Sequence, residues 1–259
     1  MSRSPLRPWP LTRRQLLAGL GALTGTAPLP AWAFGDTTEV DVAELDLGPG
    51  TLSRPNGWKR MLYEVVQTTS VECEPRAVRV KPDSAELFAH PFSVVIGDAA
   101  FAEPSDRAVE QLERYLSYGG FLLFDDATGT ESNPFDTEVR KLVRRLFPTR
   151  PLSPLPADHS LYRSFFLLDR PVGRVDRVPY LEGITVGNLT PLVLMRNDLS
   201  GALDRSDDGR NVHTVIPGGE RQRREAIKLG INLILYALTA NYKKDQAHVN
   251  QLMREGRLE

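Results

Sequence analysis

A chain of 259 residues with 41% hydrophobic and 25% charged side chains has the composition of an ordinary globular protein. Its 32 basic residues against 33 acidic ones leave no electrostatic footprint for nucleic acid. A single cysteine, Cys73, excludes an internal disulfide, so the core alone must hold the fold. Cys73 reads as a small apolar filler, because no activating base stands near it in sequence.

The first elements in chain order form an address. Thr12-Arg13-Arg14-Gln15-Leu16-Leu17 is a twin-arginine pattern, followed by the weakly apolar run Leu16 to Leu29 and by Ala31-Trp32-Ala33. A charged start, a modest apolar stretch and a small-x-small site predict an export signal over residues 1–33, cleaved after Ala33, and a periplasmic or otherwise exported protein. The run is broken by Gly19, Gly21, Thr24, Gly25, Thr26 and Pro28 and falls short of the roughly 20 apolar residues a membrane span needs. Once the signal is gone, the chain is therefore expected not to be integral to the membrane. Without the four arginines of this segment the chain keeps 28 bases against 33 acids, a net charge of −5. The remainder suits one α/β domain over residues 34–242 and a charged helical tail over 243–259.

Val40 to Leu47 alternates acidic and apolar residues as a half-buried strand does. Asn56 is placed to cap a helix from about Gly57 through Val66, with Trp58, Met61, Leu62 and Val65 on one stripe. A short strand is expected at Arg76 to Val80 and one or two helical turns at Ser84 to Phe88. Phe92 to Ile96 is a nearly continuous apolar run that suits a strand buried on both faces. Ser105 caps a helix with a Val109, Leu112, Leu116 stripe, and Gly119-Gly120 stops it. Phe121-Leu122-Leu123-Phe124 is a second buried strand, ending at Asp125-Asp126. Asp136 is expected to cap a helix over Thr137 to Phe147, whose Arg140, Lys141, Arg144 and Arg145 read as a solvated basic face.

From Pro151 to Asn211 the pattern is less regular. Strands are expected at Phe165 to Leu168, Gly183 to Val186 and Pro191 to Met195, as a β-containing insertion with antiparallel edge strands. Pro217-Gly218-Gly219 is a turn before a long helix over about Glu220 to Thr239. The polar stretch Asp245 to Leu258 follows as a surface helix. Strands alternating with helices at this spacing mean βαβ units, hence an α/β fold with a mostly parallel sheet flanked by helices.

Several pieces together resemble a known family. Gly119-Gly120-Phe121-Leu122-Leu123-Phe124-Asp125-Asp126 is the central one. Gly57-Trp58, Phe135 with Arg140, Leu146-Phe147-Pro148, Leu155-Pro156 with Asp158-His159, Arg196-Asn197-Asp198-Leu199, Gly230-Ile231-Asn232 and Tyr236-Ala237-Leu238-Thr239 fall in the same order. The chain resembles the bacterial family called domain of unknown function 4159 over roughly Val40 to Asn241. The resemblance implies a flavodoxin-like, class I glutamine-amidotransferase-like or trehalose-utilisation-like fold, and no particular reaction. Amidotransferases set a nucleophilic cysteine directly after a central strand. Here that strand ends Phe124-Asp125-Asp126-Ala127, so amidotransferase activity is not expected.

Ligands of open α/β sheets bind outside the carboxyl ends of the strands. Those ends carry Asp98, Asp125 and Asp126, with His159, Arg196, Asn197 and Asp198 as candidate neighbours. Strand alternation sends the adjacent acids to opposite faces. Asp125 is expected to be buried and bonded by backbone amides, Asp126 to be exposed in the cleft with His159. Two readings follow. The first is a domain that binds a ligand or an envelope protein partner at this face, without catalysis and with no cofactor. The second is a hydrolase of a saccharide or other envelope substrate that uses Asp126 and His159, with or without a divalent metal. The sequence has no glycine-rich nucleotide fingerprint, no Gly-x-Ser-x-Gly elbow and no zinc-ligand spacing.

Overall fold

The computed structural model describes residues 40–254 other than 131, with side chains described up to residue 240. The expected export signal over residues 1–33 lies outside the described residues. Seven strands make one open sheet in the order β2-β1-β3-β4-β7-β6-β5. They are β1 (Val42–Leu45), β2 (Ala77–Val80), β3 (Phe92–Gly97), β4 (Phe121–Asp126), β5 (Ser153–Pro154), β6 (Glu182–Val186) and β7 (Leu189–Met195). The first five in space are parallel, and β6 and β5 are added antiparallel at one edge. The order 2-1-3-4-7 is doubly wound in the flavodoxin manner, and it reverses direction between β1 and β3.

The two faces are set by strand parity. Val42, Val94, Ile96, Phe121, Leu123, Val193 and Met195 point to the side covered by α1 (Gly57–Thr68), α4 (Leu199–Leu203) and α5 (Gly219–Arg254). Ala43, Leu45, Val95, Leu122, Phe124, Leu192 and Leu194 point to the side covered by α2 (Asp106–Ser117) and α3 (Pro134–Leu146). Every residue of β3 and β4 is buried, which explains why both read as unbroken apolar runs. Cys73 packs half-buried against the first cluster, its thiol within 3.5 Å of the Leu62 carbonyl, and burial pushes the thiol's pKa up.

The helix starts differ from the sequence expectation in two places. Asn133, not Asp136, caps α3: its Oδ1 accepts the Asp136 amide at 2.9 Å, and Pro134 occupies the first turn with its fixed φ. Asn56 makes no side-chain cap on α1; its side chain donates instead to the Arg205 carbonyl at 2.8 Å, while its backbone amide donates to Asp204 Oδ1 at 3.2 Å. Ser105 caps α2 as expected, accepting the Ala108 amide at 3.2 Å.

Phe165 to Leu168 is not a strand. Asn232, buried on α5, accepts the Phe165 and Phe166 amides at 3.2 and 2.8 Å and donates to the Leu161 and Phe166 carbonyls at 3.1 and 2.9 Å. A side chain from a distant helix thus satisfies the backbone groups that a ladder would otherwise take. The long final helix also runs past its expected end, unbroken from Gly219 to Arg254, and absorbs the start of the expected tail. No helix among the described residues is long and apolar enough to cross a membrane.

Candidate functional site

The carboxyl ends of β1, β3, β4 and β7 converge under the loop from Asp46 to Asn56. That loop folds back over β3: Thr51 bridges Gly97, and the Ser53 amide donates to the Ile96 carbonyl at 3.4 Å. It carries Leu52 at a φ of 65°, a conformation that side chains other than glycine rarely adopt. Its last part delivers Arg54 across the ends of the neighbouring strands. The Arg54 guanidinium donates to the carbonyls of Ser53 at 3.0 Å and Ala127 at 2.9 Å, and to Asp198 Oδ2 at 3.0 Å. Its Nε is buried without a partner, as is the neighbouring Ser53 hydroxyl.

Asp198 starts α4 in the left-handed region, at a φ of 54°. Its Oδ1 accepts the Gly201 amide at 2.9 Å, and its Oδ2 takes Arg54 and also Arg174 Nε. A Cβ at Gly201 would fall 2.4 Å from both carboxylate oxygens, so glycine permits this close cap. Asp125, fully buried, accepts the Leu199 and Ser200 amides at 2.9 and 2.6 Å, as its strand parity predicts. Burial, then the adjacent Asp198, push the Asp125 carboxyl up against the pull of those bonds. Asn197 is also fully buried. It accepts the Arg177 and Val178 amides at 3.2 and 3.0 Å and donates to the carbonyls of Pro171 at 3.1 Å and Val178 at 2.8 Å. Its bonding capacity goes into holding the 171–178 loop.

Asp126 lies on the opposite face of the sheet and is buried, not exposed. Its Oδ1 accepts from the Thr128 amide at 2.9 Å and the Thr128 hydroxyl at 2.6 Å, and its Oδ2 accepts Asn133 Nδ2 at 2.6 Å. The acid therefore ties the β4–α3 turn to the cap of α3. Burial raises its pKa, opposed by the Thr128 and Asn133 bonds. Beyond it, Arg140 donates to Asp136 at 2.8 and 3.1 Å and to Glu182 at 2.8 and 3.2 Å. Arg140 is thus the centre of a half-buried ion network, which overturns its reading as part of a solvated basic face. Arg196 approaches the same two acids at 3.7 Å, with its Nε buried and unpartnered.

His159 is at the other end of the sheet. Its Nδ1 accepts the Leu161 amide at 3.2 Å, which leaves the proton on Nε2, and Nε2 meets the Thr190 hydroxyl at 3.0 Å. From the pairing of Leu192 with Leu122, Thr190 stands level with residue 120, six residues from Asp126. At about 3.3 Å per residue, about 20 Å separate the two positions. The ring packs 5.8 Å from the Tyr236 ring, and burial lowers its pKa. Asp98 is exposed at the end of β3, near enough to Arg54 to act on its charge.

The structure adds groups that the sequence did not single out: Arg54, Arg174, Glu44, Asp204 and His213. Glu44 is 3% exposed in β1, with Oε1 unpartnered, and burial pushes its carboxyl up to about 7. His213 Nε2 lies 3.5 Å from Asp204 Oδ2, and burial, then the Arg54 charge, lower its pKa. Among the described residues, no group of three or more His, Cys, Asp or Glu side chains is arranged to hold a metal ion. A cavity of about 580 Å³ is at the amino end of the sheet, between Leu116, Phe121, Phe147, Leu189 and Ala240.

No curated protein matches this chain. A family model described as Domain of unknown function (DUF4159) matches residues 41–238, well over half of the chain and all of the sheet. The chain belongs to the domain of unknown function 4159 family.

Proposed function

We propose that this chain is a binding domain that meets a ligand or a partner at the carboxyl-end face of its sheet, and not a hydrolase built on Asp126 and His159. The observation that carries this reading is the separation of those two residues. An acid and a base that act on one substrate must both reach it within hydrogen-bond distance, and about 20 Å of strand lies between them. The remaining acids of the face serve structure: Asp125 and Asp198 hold the start of α4, and Asp126 holds the β4–α3 turn. What the face keeps for contact is its arginines, side-chain hydroxyls and the loop at the β1/β3 crossover, where open α/β sheets take their ligands. A fold kinship with class I glutamine amidotransferases is part of this reading, without their cysteine chemistry. The site of action is outside the cytoplasm, on the strength of the Arg13-Arg14 pattern and Ala31-Trp32-Ala33.

The reading is tested by hydrogen exchange of the protein with and without extract of the producing cells' envelope, separated into small-molecule and protein pools. Slowed exchange confined to residues 46–56, 127–130 and 197–213 is expected from one of the pools. Protection at residues 117–121 and 186–191, around the amino-end cavity, would overturn it.

A further inference from the structure

At the carboxyl-end face two arginines meet on one carboxylate, with Asp125 and Asp98 close enough to act on the Arg54 charge. Arg54 and Arg174 both donate to one oxygen of Asp198, whose other oxygen is taken by the Gly201 amide. Two guanidinium groups therefore share one carboxylate. Asp125, the next acid inward, already has two backbone amides. Asp98 is exposed and takes no salt bridge among the described residues, so solvent screens it. On the opposite face of the sheet Arg140 and Arg196 meet two acids, Asp136 and Glu182.

Unused donors accompany this arrangement. Arg54 Nε and Ser53 Oγ are adjacent on the crossover loop, and neither has a partner. Arg174 is 21% exposed, and beyond Asp198 its guanidinium makes one long contact, Nη2 to the Thr128 carbonyl at 3.4 Å. Its Nη1 donates to no acceptor among the described residues. The half-buried ring of His213 is near both arginines, Asp198 and Asp204. A guanidinium with spare N–H groups at the end of the sheet suits a planar or tetrahedral oxyanion.

We propose that Arg54 and Arg174, set over Asp198 at the β1/β3 crossover, form an anion subsite that takes a carboxylate or phosphate group of the ligand. This inference rests on the binding reading above and names the chemistry of that same face. Arg174 supplies the exposed fork that meets the anion first. Arg54, tied down by Ser53, Ala127 and Asp198, supplies fixed positive charge behind it. The buried acids Glu44 and Asp204 and the exposed Asp98 disfavour a dianion held deep among them, so the charged group binds at the exposed Arg174.

The test is a titration of the protein with inorganic phosphate and, separately, with acetate, at constant ionic strength, followed by the arginine Nε–H signals in NMR. Saturable movement of the Arg54 and Arg174 signals is expected with at least one anion. Phosphate alone identifies a phosphorylated ligand, and acetate alone a carboxylate. Loss of a charge-assisted bond in Arg174→Gln should weaken that anion about tenfold or more, with Arg174→Lys intermediate. Arg76→Gln, at an exposed pair with Glu74 before the amino end of β2, should bind as wild type does. No saturable movement with either anion, or equal affinity in Arg174→Gln, overturns the subsite. If the anions fail while exchange protection still maps to residues 46–56 and 197–213, the ligand class falls and the binding face stands. Protection at the amino end removes both.

Discussion

Glu44 allows the sharpest test of the electrostatics at this end of the sheet. It sits in β1 with register partners Arg79 and Val94, is 3% exposed, and has one oxygen without a partner. Burial raises its pKa from 4.5 to about 7; Arg79 opposes the rise and Asp204 adds to it. The folded state therefore holds a proton that the unfolded chain releases between these two values. The stability linked to Glu44 is complete below pH 4.5 or so and is lost as pH rises through about 7. At roughly 1.4 kcal/mol per pH unit, the ionised group costs up to about 3 kcal/mol above that window. Glu44→Gln keeps the shape and removes the ionisation, but places an amide with its own unmet bonds in the same position. We expect the variant to be about 1–3 kcal/mol more stable than wild type at pH 8, and no more stable than wild type at pH 4.5. Urea unfolding of both proteins at the two pH values measures the difference, and the subtraction removes other groups that titrate in common, Asp125 among them. A difference that does not change with pH, or a variant weaker than wild type at pH 8, would show that Glu44 is solvated and the reasoning wrong.

Other outcomes follow from the same structure. Asp126→Ala should destabilise by about 1–3 kcal/mol, because the Thr128 amide, the Thr128 hydroxyl and Asn133 lose their common acceptor; a melting temperature equal to wild type would mean water replaces the carboxylate at no cost. Leu123→Ala, in the middle of the fully buried β4, should cost about 2–5 kcal/mol in chemical denaturation, and an unchanged midpoint would refute its place in the core. Arg13→Lys with Arg14→Lys should leave the precursor in the cytoplasm on cell fractionation, and normal export of the double variant would dismiss the address.

The central sheet was legible because its physics is local. Phe92 to Ile96 and Phe121 to Phe124 are nearly continuous apolar runs of strand length, which suits a strand covered on both faces. Parity alone separated Asp125 from Asp126, and the inward turn of Asp125 followed from it. What parity cannot give is how the next loop closes. Thr128 and Asn133 curl back onto Asp126, so an acid that leaves the strand toward solvent ends up buried. Strand order is not local either. His159 precedes β6, and only the antiparallel addition of β6 to β7 shows that it belongs at the amino end of the sheet. Arg54 and Arg174 stand 120 residues apart in unremarkable loops, and their meeting on Asp198 depends on β1, β4 and β7 ending on one level. The mistaken strand at Phe165 to Leu168 has the same origin, since four bonds from Asn232 on a distant helix decided the backbone there.

The most direct test of the account is ligand-linked stabilisation of three proteins by the small-molecule pool of the envelope: wild type, Arg174→Gln and His159→Ala. A molecule that binds only the folded state raises the melting temperature in proportion to the logarithm of its concentration over its dissociation constant. Wild type and His159→Ala should gain equally from the pool, and Arg174→Gln should gain clearly less. Loss of the gain in His159→Ala with its retention in Arg174→Gln would contradict the account and return the site to the opposite end of the sheet.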